Sequence, residues 1–244
     1  MEEYEIKPYL SRSLDICLAY LNGPTQHRKI KYMALNALSP IIICAEHHIL
    51  PRRDELLQAF FNTIQNATTL QDQSIKGKAL MCAGNLASTC SEANFPQEAL
   101  EAFTRFALEC LQQADAKYEL KETAINYFSE ISKIQKSKMA NLIPIIVPHI
   151  LESAQTKVNA APKMEEAATE FDLDSDDDDE ENMMVGVDLE GIDEQVSAIH
   201  CLGNLSLYCS GLMQPHLQTI CDQIRTLGAH AHDNVKYHVC LTLT

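Results

Sequence analysis

Five segments of this 244-residue sequence can be laid over one another, and that repeat limits the fold more than any other feature. They are KIKYMALNAL from Lys29, SIKGKALMCA from Ser74, ELKETAINYF from Glu119, DEQVSAIHCL from Asp193 and NVKYHVCLTL from Asn234. Each carries a polar anchor and, three positions on, a small or apolar residue. The pairs are Lys31/Ala34, Lys76/Ala79, Lys121/Ala124, Gln195/Ala198 and Lys236/Val239. The anchors stand 45, 45, 74 and 41 residues apart. A period of about 40 to 47 residues belongs to stacked helical hairpins. The one long interval exceeds the period by about 30 residues, so something is inserted there.

Second helical stretches lie between the anchors. Asp54 to Gln65 sets Leu56, Leu57, Phe60, Phe61 and Ile64 at three- and four-residue steps, the helical period. Pro96 to Gln113 does the same with Leu100, Phe103, Phe106, Ala107, Cys110 and Leu111. Met139 to Lys157 is apolar and holds Pro144 and Pro148, so its helix is expected to bend or to start near Pro144. Leu212 to Leu227 is expected to form one more helix, with Pro215 near its start. Such hairpins bury their apolar faces only by stacking on neighbours. The chain reads as all-α, an α-solenoid of antiparallel helix pairs. Both ends, at Met1 and Thr244, lie close to uncapped helical patterns. The expectation is a piece of a longer solenoid.

Composition agrees. Gly and Pro number 8 and 9, well below the ordinary combined share of about 12%, which disfavours a many-stranded sandwich or barrel. No run of apolar residues reaches the roughly 18 to 20 of a membrane helix. MEEYEIKPYL is acidic where a signal peptide is basic and then apolar. The nine cysteines are scattered, without C-x-x-C, and are expected to be reduced, buried thiols.

The formal charge is -15, from 34 acids against 19 bases. Fifteen of those acids fall between Glu165 and Glu194, a stretch without Lys or Arg, so the remainder of the chain is neutral. The acidic stretch lies inside the long interval between anchors. The organisation expected is repeats over 1–157, an acidic flexible insertion over 158–191, and repeats again over 192–244. At its centre, FDLDSDDDDEEN sets eight acids between Asp172 and Glu181: Asp172, Asp174, Asp176, Asp177, Asp178, Asp179, Glu180 and Glu181. Such density repels itself and buries no core, so disorder is expected when free. It suits a basic partner, bound in a salt-sensitive way. The plain alternative is a solvated spacer. A calcium loop is disfavoured because Asp174 to Asp178 lacks the glycine and terminal glutamate of an EF-hand.

The pattern of an apolar residue and Lys before a small residue, with Asp upstream, resembles the HEAT repeat. It reads Asp72 with Ile75-Lys76, and Asp233 with Val235-Lys236. Ile30-Lys31 and Leu120-Lys121 lack the upstream Asp, and Glu194-Gln195 lacks the base. The stretch from Ala45 to Ala87 looks like the central repeats of importin-beta (karyopherin) receptors. NLIPIIVPHILESAQTK, the acidic insertion, and GIDEQVSAIHCLGNLSLYCSG follow in the order seen in the importin 4/importin 5 branch. The resemblance covers nearly the whole chain. It implies a nuclear import receptor of the cytoplasm, nucleus and nuclear pore. Its partners would be the Ran GTPase, basic cargo such as ribosomal proteins or histones, and Phe-Gly nucleoporins. Cargo would leave on binding GTP-loaded Ran.

Three further sets of residues carry expectations. Lys31, Lys76 and Lys121 could line the inner face that the family builds from second helices; they could equally pair with neighbouring carboxylates. Phe61 and Phe106 are 45 residues apart, where the family binds Phe-Gly segments between first helices, although aromatics at helical spacing are usually core. His47-His48, His230 with His232, and His238 with Cys240 give no zinc-finger spacing. No metal or cofactor is expected. No phosphate-loop, dinucleotide, nucleophile-elbow or zincin signature occurs, so binding is expected rather than catalysis. The neutral body, without Trp, disfavours nucleic acid. Two rivals to the transport reading remain: a static HEAT scaffold, and an acidic-loop chaperone for histones or ribosomal proteins that ignores Ran.

Overall fold

The computed structural model describes residues 7–23, 27–69, 72–113, 118–155, 189–230 and 232–243. The acidic residues from Asp172 to Glu181 lie outside them. The longer helices are α1 (Lys7–Asn22), α2 (Arg28–Ala45), α3 (Arg53–Asn66), α4 (Gln73–Cys90), α5 (Gln97–Gln112), α6 (Tyr118–Gln135), α7 (Ile143–Ala154), α8 (Leu189–Tyr208), α10 (Leu217–Leu227) and α11 (Asp233–Leu243), with one turn of helix, α9 (Ser210–Met213), before α10. Among the described residues they pair into five hairpins: α1/α2, α3/α4, α5/α6, α7/α8 and α10/α11. The second helices α2, α4, α6, α8 and α11 pack side by side in chain order. The first helices form the other layer. The fold is an α-solenoid, and the long interval of the sequence falls between the two helices of the fourth hairpin.

The anchor pairs explain the stacking. Ala34, Ala79, Ala124, Ala198 and Val239 are all buried, none more than 6% exposed. Small side chains there let each second helix approach its neighbour. Gly84 takes this further: a Cβ on it would stand 3.2 Å from Tyr127 Cδ2 and 3.3 Å from the Tyr127 backbone. Beneath this seam, Leu35, Leu80, Ile125 and Ile199 occupy one repeat position and are fully buried. Hydrogen bonds stitch the same seam. Asn85 donates to Ser39 Oγ at 2.9 Å, and Asn204 donates to Ser129 Oγ at 2.7 Å.

The turns repeat as well. Glu46, Ser91 and Lys136 follow the last residues of α2, α4 and α6, and have φ of 45°, 65° and 47°. Left-handed backbone is unusual for non-glycine residues, yet it recurs at the same place in three successive repeats. It breaks each second helix and reverses the chain toward the next first helix.

Prolines behave nearly as expected. Pro144 lies in the first turn of α7, where its missing N–H costs nothing, and Pro148 lies within that helix. The single helix expected over Leu212–Leu227 is divided instead. Pro215 sits in a 3-10 turn, Gln214–His216, and α10 starts only at Leu217. Its ring leaves the preceding carbonyls of α9 without a helical donor. A second difference concerns apolar length. Within Arg28–Asn66 an 18-residue window reaches a membrane span's mean hydropathy. In the fold this segment is broken by the 3-10 turn Glu46–Arg52, and Leu35, Leu38 and Ile42 of α2 are fully buried in the core.

Candidate partner-binding surface

Carboxylates gather on the second helices α6 and α8. Glu119 lies in the first turn of α6, where the helix dipole favours an anion. Its carboxylate accepts from Tyr32 Oη on α2 at 3.2 Å and from Ser74 Oγ on α4. One side chain therefore ties three successive repeats together. Lys78 of α4 places its ammonium 5.8 Å from the centre of the Tyr32 ring, within cation–π range.

Glu122 lies one turn further along α6. Asn126 donates to it at 3.4 Å. Burial pushes its carboxyl up to about 7, helped by the negative charges of Asp193, Glu119 and Glu194 and opposed by Lys78. Glu194 is also pushed up, first by burial and then by Glu152, while the Ser153 hydroxyl and Lys121 pull the other way. Glu194 is only 2% exposed, and among the described residues its Oε2 has no hydrogen-bond partner. Carboxyl groups from α6 and α8 thus act on one another, and among the described residues Lys78 and Lys121 oppose them only in part. Such a surface gains free energy when an ammonium or guanidinium arrives.

Further along the same helices the surface turns neutral. Lys133 pairs with Glu130 at 2.5 Å. His200 and His238, on α8 and α11, have ring centres 6.2 Å apart. Burial, Lys133 and His238 all disfavour the protonated form of His200.

Of the three lysines of the sequence pattern, Lys121 acts on this cluster through Glu194, and Lys31 and Lys76 lie elsewhere. Lys31 lines a cavity beside the C-terminal end of α3. Lys76 acts on Asp72 and, more weakly than burial, on Cys110 near the end of α5. Lys121 acts on Glu194, whose hydroxyl partner Ser153 ends α7. Each therefore sits at the junction of the layers, beside the C-terminal end of the next first helix, where a cation is favoured. One acid–base contact between repeats is made by Arg28, whose Nε lies 2.9 Å from Asp72.

Phe61 and Phe106 also differ from one another. Phe61 is 37% exposed and meets Phe103 edge-on at 6.5 Å. Phe106 is half-buried against the core. Their neighbours Phe60 and Phe103 fill the interior. Burial pushes the thiols of Cys82 and Cys110 up to about 12 and that of Cys90 to about 11, so they are unreactive at neutral pH. Among the described residues no three His, Cys, Asp or Glu side chains converge as metal ligands.

Glu119, Glu122, Asp193, Glu194 and Tyr32 escaped the sequence reading as site residues. One signal was present: Glu119 and Asp193 head two of the aligned repeats. Glu122 and Tyr32 gave none, because their meeting depends on the lateral fit of helices.

No family model matches the chain. A curated relative, importin subunit beta-3 of Saccharomyces cerevisiae, is 22% identical over 237 residues, covering 95% of this chain and 21% of the relative. Among solved structures, Kap121p bound to Pho4p aligns with a TM-score of 0.72 and 20% identity, over 98% of this chain and 22% of that one. Kap121p bound to RanGTP aligns at 0.68 and 17%, over 99% and 23%. Kap121p bound to Nup53p aligns at 0.71 and 20%, over 98% and 22%. The chain spans about a fifth of these relatives and shares the karyopherin solenoid fold over nearly all of its own length.

Proposed function

We propose that this chain is a cargo-binding segment of a nuclear import receptor of the importin-beta type, in the importin 4/importin 5 branch. The observation that carries the reading is the cluster of Glu119, Glu122 and Asp193 on adjacent second helices, with the buried Glu194 behind it. Among the described residues Lys78 offsets its charge only in part, and it suits lysine or arginine side chains of a basic segment. Similarity to Kap121p, which has been solved with Pho4p, with Nup53p and with RanGTP, supports the transport setting.

The acidic residues 172–181 enter the chain between the two helices of the hairpin that carries Asp193 and Glu194. They add a second source of negative charge: Asp172, Asp174, Asp176 to Asp179, Glu180 and Glu181 would gather basic cargo or a basic face of Ran. GTP-loaded Ran then releases cargo by binding one shape of the solenoid better than the other, since only differential affinity shifts such an equilibrium. Phe61, part-exposed at the seam with Phe103, is the better of the two phenylalanines for a Phe-Gly contact.

The test is competition. A fluorescent lysine-rich peptide is bound to the chain at low salt, and Ran loaded with GTP or GDP is titrated in. Displacement by the GTP form alone is expected. Binding of the peptide without displacement by either form would leave an acidic chaperone. No binding of the peptide at all would overturn the cargo reading and leave a scaffold.

A further inference from the structure

A second site lies in the other layer. A cavity of about 720 Å3 opens between the first two hairpins, lined by the ends of α1 and α2, the length of α3 and the start of α4. Its long wall is a polar stripe on α3: Glu55, Gln58, Asn62 and Asn66. All four are exposed. Steps of three and four residues keep them on one face of the helix.

The spacing of that stripe matches an extended chain. Four helical residues rise about 6 Å, and two extended residues span about 6.6 Å. Successive amides of α3 therefore meet alternate residues of a strand laid along the helix. Gln58 Nε2 donates to Asn62 Oδ1 at 2.8 Å. Gln58 keeps an acceptor oxygen and Asn62 keeps amide donors, the two functions that a peptide backbone needs. Leu21, Ala59 and Ile75 add apolar surface.

The ends of the cavity differ in charge. Beside the C-terminal end of α3, Lys31 is half-buried and makes no ion pair with a described residue. Arg28, close by, is paired with Asp72 at 2.9 Å. At the far end Glu55 is held by Arg52 at 2.6 Å. Of the two cations lining the cavity, Lys31 has no paired carboxylate among the described residues, and it favours an anionic group.

We propose that this cavity binds an extended peptide of about five residues, its backbone paired with the α3 amides and one acidic side chain paired with Lys31. The ligand class is opposite in charge to the basic segment assigned to α6 and α8, and the site does not depend on that assignment.

The probe is an array of octapeptides, each with one Asp among Ser, Thr, Ala and Gly. Matched arrays carry Asn or Lys in place of Asp. The labelled 244-residue chain is applied, and the strongest peptides are titrated by fluorescence anisotropy. Asp peptides should bind above their Asn and Lys counterparts. Lys31→Met should weaken them about tenfold, the loss of one charge-assisted contact. Lys133→Met, on α6 away from the cavity, should leave them unchanged. Should Lys31→Met fail to fold by circular dichroism, Asn62→Asp, an exposed change in the wall, must weaken the same peptides by repulsion. Equal binding of Asp and Asn peptides, or indifference to Lys31 and Asn62, overturns the proposal. Preference for the Lys peptides also overturns it and directs the binding to the acidic surface. Neither Ran nor basic cargo enters the assay, so its failure leaves the transport reading untouched.

Discussion

At the residue scale, the position that says most about this chain is Glu122. Its carboxyl is raised to about 7, so the fold binds its proton more tightly than the unfolded chain does. Stability from this group is complete below the ordinary glutamate range and is lost as pH rises toward and through 7. Glu122→Gln should therefore stabilise the chain at pH 8, by about 1 kcal/mol after solvent screening, and be neutral near pH 5. Urea unfolding of both proteins at the two pH values measures this; an equal gain at both would mean that charge is not the cause. Asn85 makes a different point. Its hydrogen bond to Ser39 is buried, and Asn85→Ala should cost about 1 to 3 kcal/mol because the hydroxyl loses its partner in the dry seam. The double change Asn85→Leu with Ser39→Ala should recover much of that loss in the same unfolding assay.

At the element scale, the seam between second helices decides stability. Glycine inside a helix normally costs about 1 kcal/mol relative to alanine. Gly84 should behave in the opposite way, because its Cβ would press on the Tyr127 backbone across the seam. Gly84→Ala should destabilise by about 1 to 3 kcal/mol through overpacking. An unfolding midpoint that rises with this substitution would show that α4 and α6 are looser than described. Helix existence was legible from the three- and four-residue apolar steps, because that period is a local property. The split at Pro215 was less so: the choice between helix and 3-10 turn rests on how α9 meets its neighbours. The three left-handed residues Glu46, Ser91 and Lys136 carried no glycine or asparagine to announce them.

At the scale of the whole molecule, the helix contacts among the described residues run mainly between neighbouring hairpins along the stack, with the Tyr32–Glu119 hydrogen bond reaching from the first hairpin to the third. The acidic stretch should then be separable from the helices. Changing Asp172, Asp174, Asp176, Asp177, Asp178 and Asp179 to Asn should leave helix content unchanged while weakening a lysine-rich peptide at low salt. Circular dichroism and a salt titration of peptide binding check both halves. A large loss of helicity would mean that these residues support the fold. Retained peptide affinity would assign the binding wholly to the carboxylates of α6 and α8.

The 45-residue spacing, the buried small residue three places after each anchor and the position of the acidic interval were all written in the sequence. They follow from periodicity and composition, which act over a few neighbouring residues. The tertiary structure decided which charges meet. Tyr32 and Glu119 are 87 residues apart and hydrogen-bonded. Lys31, Lys76 and Lys121 look equivalent in the repeat, yet they face a cavity, an aspartate and a buried glutamate respectively. Phe60 is inside, and Phe61 is at the surface. Such outcomes depend on the rotation of each helix about its axis and its lateral fit to the next, which a hydrophobic period specifies only to within a face.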